Sequence, residues 1–130
     1  MLKQSERLFK AAADRTRLRI LKMLESGPLC VCQIVETLGL SQSAVSRHLA
    51  LLSAVDLVDY EPKGKWTFYR LSRPRAREVA HLQAAIRCLG EGDPVVAADL
   101  TRVAAERVRS LAPRCSKDKA GKGGTHGRVG

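Results

Sequence analysis

The chain has 130 residues, 45% of them hydrophobic, and its 23 Lys and Arg against 13 Asp and Glu give a net charge of +10, which favours a polyanionic partner such as nucleic acid. This length suits one compact domain that needs no disulfides, and no apolar run approaches the roughly 18 residues of a membrane span. The N-terminus is charged from residue 3 onward, unlike a secretory leader, so we expect a cytoplasmic protein with four reduced cysteines.

The first part of the chain predicts two helices. Apolar residues recur at helical spacing over residues 3–13, and Asp14 can cap a second helix over residues 15–26. Gly27 and Pro28 end that helix. Its expected buried stripe is Leu18, Leu21, Met23 and Leu24, with Ile20 beside it. The basic residues expected largely outside are Arg15, Arg17, Arg19 and Lys22.

The next segment has the composition of a helix-turn-helix. A short helix is predicted over residues 31–38, Gly39 stops it, and Ser41 can cap a following helix. That second helix carries polar side chains of the type that contact base edges and phosphates. The residues predicted on its open face are Gln42, Ser43, Ser46 and Arg47. His48 follows them, and either helix packing or a phosphate contact is expected of it.

A change from helical to alternating hydrophobic spacing marks a β-hairpin. Strands are predicted at residues 57–60 and 66–71, joined by a basic turn over residues 62–65. A hairpin directly after a helix-turn-helix is a wing, and Lys63 and Lys65 at its tip are expected to contact phosphates. The predicted fold class is mainly α with a small β-hairpin, a winged helix-turn-helix.

Two further helices complete the predicted domain. One follows Pro74, and the other covers residues 95–111. We therefore expect one folded domain over residues 1–111. Residues 112–130 hold five glycines, and five Lys or Arg against one Asp, so we expect a disordered basic tail.

Four segments carry a resemblance to a known family. They are LFKAAADRTRLRILKML, LCVC at residues 29–32, SQSAVSRHLALL, and YRL at residues 69–71. In this order they resemble the ArsR/SmtB family of winged-helix metalloregulatory repressors. The resemblance implies a homodimer built on the first and fifth helices, with residues 1–111 as the DNA-binding and dimerisation domain. It also implies that the apo protein binds operator DNA and leaves it when a soft metal or metalloid binds.

The Cys-Val-Cys segment is the candidate inducer site, because in the family LCVC is typical of arsenite and antimonite sensors and of related cadmium and lead sensors. Thiolates of Cys30 and Cys32 are soft ligands, of which a trivalent arsenic or antimony ion takes about three. Side chains two positions apart diverge by about 200° around an intact helix. We therefore do not expect Cys30 and Cys32 to bind the same ion while the helix is intact. We hypothesise that binding unwinds or rotates the first turn of the third helix and so moves the reading helix relative to its dimer partner.

The third thiolate is the open point of this site. Arsenite sensors with this motif carry it five positions after the first, where this chain has Val35. Two alternatives stay open: the pair binds alone in two-coordinate form, or a third thiolate from Cys88 or Cys115 completes it. In the family, the cadmium-type sensors add N-terminal cysteines, and this N-terminus has none, which disfavours cadmium and lead. The family's zinc site uses Asp and His pairs on the last helix, where His81 is alone, which disfavours zinc. No cofactor is expected for DNA binding, and the implied inducer is As(III) or Sb(III).

Three other interpretations compete with metalloid sensing. Cys30 and Cys32 can be two small apolar residues at a helix start. The protein can also be a winged-helix repressor that senses persulfide or oxidant by bridging Cys30 or Cys32 to Cys88. A thiol redox enzyme is disfavoured, because the chain has no Cys-x-x-Cys on a βαβ unit and no phosphate-cradling loop.

Overall fold

The computed structural model describes residues 2–109, and within that range it contains six helices and three strands. The helices are α1 (Leu2–Ala12), α2 (Arg15–Leu24), α3 (Val31–Leu38), α4 (Gln42–Ala54), α5 (Arg77–Arg87) and α6 (Pro94–Arg109). The strands are β1 (Leu29–Cys30), β2 (Val58–Lys63) and β3 (Trp66–Leu71). No helix in the described range is long and apolar enough to cross a membrane. The last two predicted helical residues, 110–111, and the predicted tail, 112–130, lie outside the described residues.

Helix α2 supplies the centre of the hydrophobic core. Asp14 is its N-cap and accepts a hydrogen bond from the backbone N–H of Arg17 at 3.0 Å. This bond, more than any other contact, lowers the pKa of the Asp14 carboxyl below its ordinary value. The largest fully buried side chains of this core come from α2, α3, α4, the sheet and the residue just before β2: Ile20, Leu21, Met23, Leu29, Ile34, Leu49, Leu52, Leu57 and Tyr69.

Lys22 is buried, so the prediction that it lies outside is wrong. The reason is that the end of α5 lies over this part of α2. The Lys22 ammonium group donates to the carbonyl oxygens of Ile86 at 3.1 Å and Arg87 at 3.2 Å. It also pairs with Glu25 at 3.0 Å. Lys22 therefore adds a donor to the carbonyl oxygens at the C-terminal end of α5.

The predicted wing is formed by β2 and β3. The two strands pair antiparallel, with Lys63 opposite Trp66, and Gly64 and Lys65 form the turn between them. Gly64 has a φ of 63°, a left-handed conformation that tight hairpin turns require and glycine adopts without strain.

A third strand, β1, was not predicted. It pairs antiparallel with β3, Leu29 facing Tyr69 and Cys30 facing Phe68, so the sheet order is β1-β3-β2. The fold therefore has a three-stranded sheet in place of the predicted hairpin. Its consequence for the site is that Cys30 belongs to a strand that touches the wing.

Helices α3 and α4 form the helix-turn-helix. Gly39 ends α3 with a left-handed φ of 71°, and the Ser41 hydroxyl accepts from the backbone N–H of Ala44 at 3.2 Å to cap α4. These two local signals place the turn where the sequence predicted it. Val45 and Leu49 on α4 are fully buried and anchor this helix on the core.

Helix α6 runs antiparallel to α3 in the same chain. Arg102 donates to the carbonyl oxygen of Thr37, near the end of α3, at 3.4 Å. Further along α6, Arg107 donates to the carbonyl oxygen of Pro28, just before β1, at 2.7 Å. The C-terminal end of α6 therefore lies beside the N-terminal end of α3.

An ion pair fastens α6 to α2. Nε and Nη2 of Arg19 each lie 2.8 Å from a different carboxylate oxygen of Asp99, which is 2% exposed. The hydrogen bond that Arg19 donates to Asp99 raises the pKa of the Arg19 guanidinium above its ordinary value. The sequence placed Arg19 largely outside, and this prediction is wrong because α6 covers that side of α2.

Candidate functional site

The face of α4 predicted to contact DNA is only partly open. Ser43 and Arg47 are exposed, and Gln42 is half-buried. Ser46 is 6% exposed, so its predicted place on the open face is wrong. Ser46 lies next to Val45 on the side of α4 that packs against the rest of the domain. Within residues 2–109, Ser46 Oγ and Gln42 Nε2 are buried atoms that have no hydrogen-bond partner.

His48 lies between the packed and the open sides of α4. Its ring Nδ1 is 3.1 Å from Nη1 of Arg17 on α2. Arg17 also contacts the end of α1, where its Nε donates to the carbonyl oxygen of Ala11 at 2.6 Å. From the sequence, Arg17 was expected among the outer basic residues, with no role of its own. The contact between Arg17 and His48 joins residues 31 positions apart, and helical spacing does not predict a contact at that separation.

The two lysines of the wing have different surroundings. Both are exposed, and Lys63 Nζ lies 5.7 Å from the centre of the Phe68 ring, in a cation–π contact. Lys65 is part of the turn, and among the described residues it makes no ion pair or ring contact. Lys65 is therefore the more available of the two charges.

Cys30 and Cys32 converge at the start of α3. Cys30 is the last residue of β1 and the N-cap of α3, and Cys32 lies in the first turn of that helix. Their sulfur atoms are 2.7 Å apart. Cys30 is 6% exposed and Cys32 is half-buried. The two sulfurs thus share one site, which solvent reaches on the Cys32 side.

The expectation that these two sulfurs diverge is wrong. It treated both residues as helical, whereas Cys30 is extended, with φ −83° and ψ 159°. The backbone changes from strand to helix between the two cysteines, and this change brings their side chains together. An intact first turn of α3 is therefore compatible with one ion on both sulfurs.

A capping box closes the first turn of α3 around Cys30. Oε1 of the buried Gln33 accepts from the backbone N–H of Cys30 at 2.8 Å, and Cys30 Sγ accepts from the backbone N–H of Gln33. The sulfur that is the candidate ligand is thus also part of the helix cap. Chemistry at this atom acts directly on the start of the helix-turn-helix.

No third ligand joins the pair in the part of the chain that the structure describes. Among residues 2–109, no group of three or more His, Cys, Asp or Glu could hold a metal ion. Cys88 is the C-cap of α5 and is exposed. It does not complete the pair within one protomer. Cys115 lies outside the described residues.

Large apolar side chains are exposed on α1 and just after α5, among other places in the described range. On α1, Leu2 is 86% and Phe9 is 58% exposed, and Leu89, just after α5, is 49% exposed. Exposed apolar residues of this size are typical of protein interaction surfaces. They lie on or beside the two helices that the family resemblance assigns to the dimer interface.

Comparison with known proteins identifies the family. Residues 14–60 match the family model described as bacterial regulatory protein, arsR family. The arsenical resistance operon repressor of Bacillus subtilis (strain 168) is 35% identical over 96 residues, which span 72% of this chain and 91% of that protein. The chain belongs to the ArsR family of bacterial regulatory proteins.

Solved structures agree with this ArsR assignment. HlyU from Vibrio cholerae N16961 has a TM-score of 0.57 at 37% identity, covering 67% of this chain and 91% of that chain. A homodimeric winged helix-turn-helix DNA-binding domain from Mycobacterium bovis has a TM-score of 0.57 at 31% identity, covering 66% of this chain and 77% of that chain. The predicted winged helix-turn-helix fold is confirmed. ArsR proteins are DNA-binding transcription regulators, so the enzyme interpretation is set aside.

Proposed function

We propose that this ArsR protein is a metalloid-responsive transcriptional repressor. Its apo homodimer binds operator DNA in the cytoplasm and leaves it when As(III) or Sb(III) binds the thiolates of Cys30 and Cys32. The observation that carries the proposal is the convergence of the two sulfurs, 2.7 Å apart, at the first turn of the helix-turn-helix. The name of the Bacillus subtilis relative supports the same class of inducer.

On the DNA side, the proposal assigns base contacts to α4 and phosphate contacts to the wing. Exposed Ser43 and Arg47 are the side chains best placed to enter a groove, and Gln42 and His48 lie beside them. We retain Ser46 only as a residue that positions α4, because it is buried. Lys63 and Lys65 supply sequence-independent attraction to phosphates.

Replacing Arg47 by alanine is expected to lower operator affinity by about 1 to 3 kcal/mol, or about 5-fold to 150-fold. Alanine keeps the helix intact, so the loss reports the guanidinium contact. Fluorescence anisotropy measures it on a duplex that the wild-type protein has selected from a random-sequence pool, and on an unselected duplex. The loss should be concentrated on the selected duplex.

Lys65→Ala is the matched control for Arg47→Ala. It removes one positive charge from the wing, so affinity should fall equally for both duplexes, and the slope of log K against log salt should decrease by about one. An Arg47→Ala protein that binds both duplexes like wild type would show that Arg47 does not read DNA.

The donor atoms favour a soft trivalent ion. Thiolates bind soft centres and discriminate against hard cations such as Mg²⁺. Structural zinc takes four ligands, and the described residues bring together only the two sulfurs. A pair of thiolates that needs one further ligand fits As(III) or Sb(III) better.

The proposed coupling between inducer and DNA acts through Cys30. The Cys30 sulfur accepts a hydrogen bond from the backbone N–H of Gln33. An ion bound to this sulfur uses the same lone pairs, so the hydrogen bond and the cap of α3 are weakened. Cys30 also pairs with Phe68 on the wing, so the same residue acts on the wing strand. A small rotation of each protomer prevents both half-sites from docking together, and a coupling of about 1 to 3 kcal/mol suffices.

We assign the third thiolate to Cys115. Because α6 is antiparallel to α3, its end at Arg109 lies near the cysteine pair, with Arg107 bonded to the Pro28 carbonyl oxygen at 2.7 Å. Cys115 is six residues beyond Arg109. Cys115 itself lies outside the described residues, and a fully extended segment of that length spans about 20 Å at most, at about 3.3 to 3.6 Å per residue.

Titration of the reduced protein with arsenite tests the proposal. Thiolate-to-metalloid absorption should saturate at one equivalent per protomer, and the operator complex should dissociate over the same range. Cys115→Ser should lower arsenite affinity about tenfold or more, for one lost sulfur bond, while Cys88→Ser should not change it.

Two outcomes contradict this proposal. An operator complex that survives saturating arsenite rules out metalloid-driven release. Release by peroxide or persulfide, with a disulfide from Cys30 or Cys32 to Cys88, would establish the redox-sensing alternative in its place.

A further inference from the structure

Arg17 joins three parts of the molecule with one guanidinium group. Its Nε donates to the carbonyl oxygen of Ala11 at 2.6 Å, and its Nη2 to that of Lys10 at 3.3 Å. Both carbonyls belong to the last turn of α1 and have no partner within that helix. The remaining amino group, Nη1, lies 3.1 Å from Nδ1 of His48 on α4. Arg17 therefore links the end of α1 to the helix that reads DNA.

This contact fixes the chemical form of the His48 ring. A guanidinium has only N–H donors and stays protonated, so Nδ1 has to be the acceptor. An imidazole whose Nδ1 accepts a hydrogen bond is neutral and carries its proton on Nε2. Among the described residues, no protein group bonds to Nε2 of His48. Nε2 is also absent from the buried atoms that lack a partner, so it is open to solvent. His48 thus presents an accessible N–H donor on α4, next to Arg47.

We infer that Arg17 is a positioning residue for DNA binding, which holds His48 in the Nε2–H form so that this N–H donates to a DNA phosphate oxygen. A hydrogen bond from the neutral Nε2–H orients α4 on the phosphate backbone and adds no positive charge to the protein. Arg17 fixes both the tautomer and the orientation of the ring. The inference rests on the proposed DNA contacts of α4 and is independent of the inducer.

The same contact gives α1 a part in DNA binding. The exposed apolar side chains of α1, among them Phe9, suit a dimer surface, and Arg17 holds the end of that helix and His48 at once. The position of His48 is therefore tied to a helix that the family resemblance assigns to the dimer interface, which governs the spacing of the two half-sites.

The ring form is measured first, on the full-length wild-type protein. Two-bond ¹H–¹⁵N correlation spectra at mildly alkaline pH should show His48 as the Nε2–H tautomer. In Arg17→Met the spectrum should become a mixture of tautomers, whereas Arg15→Met should leave it unchanged. Arg15 is the matched control because it is an exposed arginine on the same helix. A wild-type His48 with its proton on Nδ1 would overturn the inference.

Binding is measured next, on the selected and unselected duplexes described above. Arg17→Met and His48→Ala should each lower affinity about fivefold to tenfold on both duplexes, as expected for one hydrogen bond. The double variant should lose no more than either single variant, because both remove the same contact. Losses that multiply would show independent roles and overturn the inference. A loss confined to the selected duplex would assign His48 to a base and overturn the phosphate contact.

Arg17→Lys keeps the experiment decisive if Arg17→Met folds poorly. Lysine retains the charge, but a single ammonium group cannot reproduce the fork that reaches α1 and His48 together. It should therefore release the tautomer as Arg17→Met does. If the wild-type protein selects no duplex, the proposed DNA function fails, while the ring spectrum still decides the Arg17 contact.

Discussion

Replacing Arg19 by alanine is expected to lower the free energy of unfolding by about 3 to 5 kcal/mol, because it strands a carboxylate in the interior. Asp99 is 2% exposed and receives both of its charged hydrogen bonds, each 2.8 Å long, from Arg19. In the Arg19→Ala variant, the Asp99 carboxylate stays buried, and no hydrogen bond from Arg19 offsets the free energy lost on its desolvation. Urea denaturation followed by far-UV circular dichroism, at one fixed protein concentration, measures the change.

Two variants control for this measurement. Arg15→Ala removes an exposed arginine from the same helix and should change stability by less than about 0.5 kcal/mol. The double variant Arg19→Met, Asp99→Leu replaces the ion pair by apolar side chains and should recover most of the loss. If Arg19→Ala costs less than about 1 kcal/mol, this pair does not fasten α6 to α2.

Features set by neighbouring residues could be predicted from the sequence. Helix α3 has its predicted bounds because Gly39 accepts a left-handed conformation and Ser41 caps the next helix. Strand β3 also has its predicted bounds, since alternating residues and the glycine turn are local signals. Both signals operate within a few positions along the chain.

Features that depend on distant residues could not be predicted. Strand β1 has only two residues, and its pairing with β3 is what makes it a strand. Lys22 is buried by the end of α5, and Ser46 by the packing of α4. Hydrophobic periodicity indicates which face of a helix is buried, but it does not show which distant element packs on a given residue.

The geometry of the thiol pair could not be predicted for the same reason. The choice of Cys30 and Cys32 came from the resemblance of LCVC to the family's sensor motif and from thiolate chemistry, neither of which depends on the backbone. Their convergence depends on where α3 begins, and a shift of one or two residues in that boundary reverses the conclusion. The pair is therefore preorganised, and the proposed switch acts through the helix cap and the wing strand.

Cys30→Ser and Cys32→Ser are each expected to abolish arsenite-driven release from the operator while leaving apo affinity within about twofold. In wild type the inducer should lower operator affinity about 5-fold to 150-fold. A hydroxyl replaces sulfur with little change in volume, but it is a hard ligand that does not hold a soft ion. Anisotropy titrations of each variant with the selected duplex, with and without arsenite, measure both quantities.

Serine at position 30 makes this test specific for the inducer. Serine is among the preferred N-cap residues, so Cys30→Ser should keep the capping box with Gln33 and leave α3 at least as stable as before. A variant that folds, binds operator and ignores arsenite assigns the response to the sulfur itself. Cys30→Ala is the contrasting variant, because it removes the ligand and the cap together and should also weaken apo binding. Undiminished release in Cys30→Ser would place the inducer elsewhere and refute the role of the cap.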